Sequence, residues 1–466
     1  MMAFVADPRQ WADDLFGGCD LGDPRRTDRL VDYAARQAAA PQASTSRACR
    51  GDAAAREGAY RLLRNAQVRP EDIDDGAFDS VAETAGEYGG LLLAIQDSTG
   101  ASFAHPVAQA LAGQGNPTGF FVHSTLLVAA ASRTPVGLVD QQRWLREPKG
   151  NKPKGKDRRS YREKESFKWE AAHERLRRRM PSMENVITVC DRESDVTEYL
   201  RYLVGHDGRF VVRASNDRKL ENLQHLWAHV EKQPELGRSA VEIEQRGGQL
   251  NNNDQEARLP RTRRRALVTI RATQVELRCT GGGLELNAVL VREEHPPKGA
   301  AGLEWMLLTR EPVVTLEQAL AVIGYYETRW MIEVFHKAWK SGCRMGERPF
   351  QTIENLERMM AVTAHVAVRL LQLKLIGEAG DEGSCETVLS PEEWQCLHVI
   401  AKPGTRPPKR APSARWALHA IARLGGWYDT KGTGRIGWQT LWHGWELFQA
   451  RLIGWKMAMQ TLGAGA

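Results

Sequence analysis

The pattern of hydrophobic and polar positions changes twice along this chain of 466 residues. Up to about residue 70, apolar residues recur at helical spacing, and strong helix-start signals stand at Asp23-Pro24 and at Asp52. From about residue 71, short apolar runs alternate with helical stretches. A long apolar helical stretch over residues 354–375 leads into a last helical region after Gly377. The pattern predicts an α/β domain (71–375) between helical domains at 1–70 and 376–466.

The part of the α/β domain between about residues 207 and 300 has a different pattern. Apolar and polar side chains alternate over residues 267–272, 275–279 and 284–291. Alternation with a period of two is typical of strands with one buried face. The sequence therefore predicts a β-rich insertion embedded in the α/β domain.

The charge is more informative in its distribution than in its total. The formal net charge is +6 and the isoelectric point is near 8.9. Basic residues form four separate clusters, at Arg25, Arg26 and Arg29, and over residues 149–168, 258–265 and 402–410. One such cluster is often only solvated surface, whereas four on one chain favour a polyanionic partner such as DNA.

Cysteine spacing and hydropathy limit the class of protein to which the chain can belong. The seven cysteines are widely spaced and form no CxxC or Cys/His metal pattern, which is typical of free thiols in a reducing cytosol. We find no apolar run that approaches the ~20 residues of a membrane span, and no phosphate-binding loop for a nucleotide cofactor. We expect a soluble, cytoplasmic protein without membrane partners.

Residues 324–340 carry the candidate chemistry. Tyr326, Arg329, Glu333 and Lys340 stand at offsets of three, seven and fourteen, which places them within roughly 60° on a helix. Such a helix could simply be amphipathic, with its aromatic residues facing a core. Residues 91–97 and 186–191, however, are both apolar runs that end in an aspartate, as expected of buried strands that deliver a side chain at their carboxyl ends.

A strand-end aspartate is often only a turn former or a helix cap, but two such residues and one helical glutamate suggest a shared acidic site at Asp97, Asp191 and Glu333. Three converging carboxylates repel one another unless cations neutralise them. Oxygen ligands without His or Cys favour Mg²⁺, with Mn²⁺ able to substitute. We expect two ions, bridged by Asp97, in a metal-assisted phosphoryl transfer. Phosphates of a DNA strand would be held by Arg329, Lys337 and Lys340, with a hydrogen bond from Tyr326.

The spaced residues Tyr326, Arg329, Glu333 and Lys340, together with Asp97 and the 191–195 segment, resemble the Y-R-E-K signature of the insertion-sequence-four family of DDE transposases. The resemblance runs from residues 21–27 through 57–60 and 210–213 to 421–426, nearly the whole chain. The contiguous Tyr-Arg-Glu-Lys at 161–164 lacks the helical spacing and is interpreted as part of a solvated loop.

The resemblance implies the fold and several further roles. It implies a ribonuclease-H-like core with a β-rich insertion, an N-terminal domain that recognises the transposon end through Arg25, Arg26 and Arg29, and a C-terminal domain for homodimer formation. Trp305 would stack on a base flipped out of the DNA, although a tryptophan before an apolar strand is ordinarily core. Arg213 would be a second DNA contact within the insertion.

The implied activity is cut-and-paste transposition on double-stranded DNA. The protein would bind terminal inverted repeats, nick, form and open a hairpin, and join the 3′ ends to target DNA. Two alternatives remain open from the residues alone. A metal-dependent nuclease would cut without joining, and a catalytically silent DNA-binding protein would repress transposition by occupying the ends.

Overall fold

The structure is a computed structural model that describes residues 5, 7–103, 119–145, 159–243, 264–298, 301–350, 352–378, 383–428, 430 and 436–463, with the side chains of residues 460, 462 and 463 left out. Most of the two basic clusters expected at 149–168 and 258–265 lies outside the described residues.

A single mixed sheet of nine described strands forms the centre of the fold. In chain order the strands are β1 (Leu92–Ser102), β2 (Gly119–Ala129), β3 (Thr134–Trp144), β4 (Val186–Cys190), β5 (Arg209–Arg213), β6 (Gly237–Ile243), β7 (Arg264–Leu277), β8 (Leu284–Glu293) and β9 (Glu304–Thr309). Their order across the sheet is β3-β2-β1-β4-β5-β9-β8-β7-β6. β1, β4 and β5 run parallel, and the other neighbouring pairs are antiparallel.

The predicted β-rich insertion continues this sheet. β5, which falls inside the predicted 207–300 segment, pairs with β4 in parallel and so lies in the central part of the sheet. β6, β7 and β8 extend the sheet beyond β9 by antiparallel hairpin connections. The apolar-polar alternation thus predicted strands correctly, but it did not indicate where the central strands end and the extension begins.

Helices flank the sheet and make up both ends of the chain. They are α1 (Pro8–Phe16), α2 (Pro24–Ala39), α3 (Thr45–Ala48), α4 (Ala53–Arg64), α5 (Pro70–Gly86), α6 (Lys168–Arg179), α7 (Thr197–Gly205), α8 (Leu226–Glu231), α9 (Leu316–Thr328), α10 (Trp330–Lys337), α11 (Ile353–Glu378), α12 (Pro391–Ala401), α13 (Ala414–Leu424) and α14 (Trp438–Gly463). The predicted start signals are confirmed, since the side chains of Asp23 and Asp52 accept hydrogen bonds from first-turn amides. The α/β class and the long helix after residue 353 are likewise confirmed.

The two faces of the sheet bury different helices. One face packs against α9, α10 and α11 in a core that also includes the N- and C-terminal helices. The other face packs against α6 and α7. Because strand residues alternate between faces, odd-numbered residues of β1, such as Leu93 and Ile95, point towards α10 and α11. Asp97 has the same parity and therefore the same direction.

Buried arginines attach the N-terminal helices to the α/β domain. Arg348 donates hydrogen bonds to the Gln37 side chain at 2.7 Å and to the Pro41 carbonyl at 2.8 Å. Arg358 on α11 donates to the carbonyls of Val68 and Leu63 at 2.5 and 3.0 Å. Both arginine residues are only 4% exposed. The N-terminal helices and the long helix α11 therefore share one interior.

Among the described helices, α11 is long and apolar enough to cross a membrane, judged by its length and composition alone. No apolar run of this length was expected from the sequence. In the fold, 72% of its most apolar window is buried against other parts of the protein, which is what a core helix shows.

Candidate active site

The candidate site lies where β1 and β4 separate. Their parallel pairing ends with Gln96 opposite Cys190, so Asp97 and Asp191 are the next residue on each strand. Beyond that point the chain after β4 turns into a short 3₁₀ helix at 192–194, and the Asp191 side chain accepts the Glu193 backbone N–H at 2.9 Å. The two predicted aspartates therefore stand side by side at one opening in the sheet.

The structure corrects the expectation that β1 ends at Asp97. The strand continues to Ser102, paired with β2 as far as Gly119. Ser98 and Thr99 resemble loop residues in the sequence, yet the antiparallel ladder to β2 satisfies their backbone groups. Asp97 thus comes from inside a strand, and only Asp191 from a strand end.

Glu333 reaches the same opening from a helix that is less regular than predicted. Residues 324–340 form the end of α9, all of α10 and part of a π-helical turn over 338–342, because the hydrogen-bond ladder changes register near Arg329 and again after Lys337. Such π-turns are often found at functional sites. Gly342 allows this turn to approach the Trp442 ring, which an added Cβ would meet at 2.4 Å.

Arg329 links two of the three predicted catalytic carboxylates. Its guanidinium lies 3.3 Å from Asp97 Oδ2 and 2.5 Å from Glu333 Oε1. Burial raises the pKa of Asp97 to about 7, against the opposing effect of Arg329, and the charges of Asp191 and Glu333 raise the pKa further. Asp191 and Glu333 therefore both repel Asp97, and Arg329 supplies the compensating charge.

The other cations of the predicted stripe differ in exposure. Lys340 Nζ donates to Thr99 Oγ1 at 2.5 Å, two residues beyond Asp97 on the same face of β1, and burial lowers the pKa of its ammonium. Lys337 is exposed. His336 is buried against Ser124 of β2, with its Nε2 3.5 Å from the hydroxyl, and burial together with the nearby charges of Lys340 and Arg329 lowers the pKa of its imidazole to about 3. Lys340 thus lies at the site with Arg329, and Lys337 lies at its rim.

Tyr326, Trp305 and Arg213 form one wall of the site. The Trp305 and Tyr326 rings meet edge to face with centroids 5.0 Å apart. Arg213 at the end of β5 donates to the Glu304 carbonyl at 3.0 Å and hydrogen-bonds the Tyr326 hydroxyl. Tyr326 is buried, which raises the pKa of its hydroxyl, whereas Trp305 is half-buried. Of the two aromatic residues in this wall, Trp305 is thus the one with an accessible surface.

The three N-terminal arginines lie apart from this site on α2. Arg25 is 82% exposed and pairs with Asp23 at 2.8 Å. Arg26 is half-buried and hydrogen-bonds the Leu21 carbonyl and the Gln67 side chain. Arg29 is exposed. Arg25 and Arg29 are therefore presented outward, while Arg26 also holds the N-terminal helices together.

Sequence reasoning missed the residues that support the site from behind. His123 on β2 hydrogen-bonds Ser98 at 2.9 Å and packs against the Trp169 ring. The Ser98 backbone N–H in turn donates to Asp97 Oδ1 at 2.8 Å. Only the pairing of β1 with β2 brings His123 next to Ser98, so no signal within either segment alone would have found it.

Asp195 is a second supporting residue. Its fully buried carboxylate accepts the backbone N–H groups of Ser215 and Asn216 at 2.8 and 2.9 Å and pairs with Arg218 at 2.6 Å. It thereby fastens the turn that carries Asp191 to the loop after β5. Asp195 belongs to the 191–195 segment of the family resemblance, but the sequence did not predict which residues its carboxylate contacts.

The donor chemistry of the site fits divalent metal ions. Within the part of the chain that the structure describes, no three His, Cys, Asp or Glu side chains converge closely enough to hold an ion, so the expected convergence of Asp97, Asp191 and Glu333 is not present in this structure. The partly buried carboxylate of Asp97, which Asp191 and Glu333 repel, nevertheless needs positive charge, and Arg329 supplies it in this structure. Carboxylate oxygens without nitrogen or sulfur ligands suit Mg²⁺ and Mn²⁺, so Asp97, Asp191 and Glu333 are the residues that would hold them.

Comparison with known protein families identifies the class. The chain matches the family models for "Transposase DNA-binding" over residues 8–68, "Transposase DDE domain" over 157–369 and "Transposase Tn5 dimerisation domain" over 365–460. The DDE match includes Asp191 and Glu333 and begins after Asp97. The protein is therefore a DDE-type DNA transposase. Its three domains make it more particularly a Tn5-like DDE transposase, with domains for DNA binding and for homodimer formation.

Among solved structures, the chain is similar to a cryo-EM structure of a piggyBac transposase synaptic complex with hairpin DNA. The identity is 9% and the TM-score 0.38, over 81% of this chain and 77% of that one. A similarity of this size supports no inference about the site.

Proposed function

We propose that the protein is a cut-and-paste transposase of the insertion-sequence-four type, marked by the Y-R-E-K arrangement. It binds terminal inverted repeats as a homodimer, excises the element through a hairpin, and joins the freed 3′ ends to target DNA. The observation that carries this proposal is the opening between β1 and β4, where Asp97, Asp191 and Glu333 interact electrostatically around Arg329.

The carboxylates would bind the metal, and the cations would bind DNA. Asp97, Asp191 and Glu333 would hold two Mg²⁺ ions, which when bound activate the attacking oxygen and stabilise the leaving oxygen of an in-line phosphoryl transfer. Arg329 and Lys340 have their charged groups at the carboxylates and at Thr99, so they would grip phosphates of the strand being cut.

The wall of the site supports a hairpin pathway. A hairpin forces the DNA strand into a tight turn, which requires a place for an extruded base. Trp305 is half-buried beside the site, and Tyr326 packs against it edge to face at 5.0 Å. Its indole would act as a stacking platform for that base, held in place by β9 and by the Arg213 contact to the Glu304 carbonyl.

The test is an assay of cleavage and joining on DNA carrying the element's own terminal repeats. Wild-type protein with Mg²⁺ is compared with Glu333→Gln and with a matched control, Glu327→Gln. Glu327 lies six residues earlier and pairs instead with Arg133 at 3.2 Å. We expect hairpin and joined products from the wild type and the control, and end binding without cleavage from Glu333→Gln.

Other outcomes decide between the alternatives. Nicking without hairpin or joined product would favour a nuclease. Tight end binding without cleavage by the wild type would favour a repressor. Equal products from wild type and Glu333→Gln would refute the role assigned to Glu333.

A further inference from the structure

The loop between α12 and α13 is the most concentrated basic surface that the candidate site leaves unexplained. Four exposed cations stand within nine residues, at Lys402, Arg406, Lys409 and Arg410. Residues 394–428 contain no Asp or Glu, so no carboxylate is close in sequence to neutralise them. This loop, residues 402–410, is called here the basic loop.

The basic loop differs from other exposed basic positions of the protein. Exposed arginines elsewhere are commonly paired with a neighbouring acid, as in Arg61 with Glu57 and Arg69 with Asp72. Within the described residues, none of the four cations of the basic loop takes part in an ion pair, and all four side chains face solvent. Surplus positive charge of this kind raises the local concentration of polyanions.

Hydrogen bonds and prolines also hold the basic loop in place. Thr405 donates to the Lys402 carbonyl at 2.7 Å and hydrogen-bonds His398 of α12 at 3.1 Å. Three prolines, at 403, 407 and 408, restrict the backbone, and Arg406 is held towards an extended conformation by the proline that follows it. The cations are thus presented with part of their ordering entropy already lost, which favours binding.

After the basic loop, the chain is fastened again before α13 begins. The Ala414 N–H donates to the Gly383 carbonyl at 2.7 Å, and the Cys385 N–H donates to the Pro412 carbonyl at 2.7 Å. The loop is therefore a surface fixed on the domain that matches the Tn5 dimerisation model. That domain lies outside the part of the chain matched to transposase DNA binding, residues 8–68.

We propose that the basic loop is a second DNA-binding surface, which contacts the phosphate backbone of duplex DNA without reading its sequence. Duplex DNA carries one phosphate charge per about 1.7 Å of its axis, so each cation of the loop can find its own phosphate. Point charges directed at phosphates position a duplex and carry no base information. The inference rests on the DNA-binding property of the protein and not on the hairpin pathway.

The experiment measures how the binding of full-length protein to an unrelated duplex depends on salt. The test variant replaces all four loop cations with Gln. The control variant makes four Gln substitutions outside the loop at exposed or partly exposed cations, at Arg133, Lys232, Arg238 and Arg310, and so changes the net charge equally. Each lost phosphate contact should reduce the slope of log K against log salt by about 0.9, or about 3.6 for four contacts.

The expected result is a slope reduced by about two to four in the loop variant and by less than one in the control, with thermal unfolding unchanged in both. A loop variant whose slope matches that of the control would overturn the proposal. The same measurement is made on a duplex carrying the element end. A salt slope reduced only on the duplex that carries the element end would indicate that the loop reads sequence, and would also overturn the proposal. Because the readout is binding, failure of hairpin formation leaves this test intact.

Discussion

Replacing Asp97 with Asn should make the protein more stable in the absence of metal, although it removes a proposed metal ligand. In the folded protein burial raises the pKa of Asp97 from 3.8 to about 7. Above pH 7 the folded state therefore holds an ionised carboxylate in an environment that favours the neutral acid. Asn has nearly the same shape and carries no charge, so the substitution removes that cost.

The magnitude and its pH dependence follow from linkage. Below about pH 4 Asp97 is protonated in both the folded and unfolded states and contributes nothing. Between pH 4 and 7 only the unfolded state ionises, so stability falls by about 1.4 kcal/mol per pH unit. Above pH 7 the cost stays at about 4 kcal/mol. Arg329 also pairs with Glu333 at 2.5 Å, so the arginine should keep an acidic partner in the variant.

The assay is urea unfolding followed by the fluorescence of the 14 tryptophans, in EDTA at pH 5, 6.5 and 8. The advantage of Asp97→Asn over the wild type should grow from about 1.5 kcal/mol at pH 5 to about 4 kcal/mol at pH 8. Asp207→Asn is the control, because the Asp207 side chain is 92% exposed. An advantage that is the same at pH 5 and pH 8, or a loss of stability at pH 8, would refute the reasoning.

Three further predictions concern the site and its supports. Mg²⁺ or Mn²⁺ at 100 times its Kd should stabilise the wild type by about 2.7 kcal/mol in thermal-shift experiments and Asp97→Asn much less; equal shifts would contradict the ligand assignment. Asp195→Ala should cost about 3–5 kcal/mol in urea, because it leaves Arg218 as a buried cation without its carboxylate; a cost below 1 kcal/mol, as expected for Asp207→Ala, would contradict this. Trp339→Ala should cost about 3–5 kcal/mol, since the ring is fully buried behind the π-turn; a smaller cost would mean that the turn repacks.

The order of elements was predictable where local chemistry decides it. Helix starts at Asp23 and Asp52 depend on a side chain capping its own helix, and the apolar runs before Asp97 and Asp191 depend on burial of a strand. These signals lie within a few residues of the element that they specify. The α/β class and the flanking helices were accordingly predicted correctly.

The fine structure of the site depends on contacts between distant segments. β1 continues through Ser98 and Thr99 because β2 pairs with it, and the support from His123 exists only through that pairing. The helix carrying Glu333 changes register where it packs on other elements. Helical spacing placed Arg329 next to Glu333, but its contact with Asp97, 232 residues away in the chain, is set by the tertiary fold.

The buried arginines that contact the N-terminal helices bear on whether the protein can be shortened to its α/β and C-terminal domains. If the chain is shortened to begin after residue 70, Arg348 loses its acceptors on Gln37 and Pro41, and Arg358 loses the carbonyls of Val68 and Leu63. Arg348 would keep the Cys343 carbonyl and Arg358 the Asn355 side chain as acceptors, while the apolar surface that the N-terminal helices cover would be exposed to water. DNA binding and the chemistry of the site therefore do not lie in separable modules of this chain, and a shortened copy should be an unstable protein rather than an active nuclease.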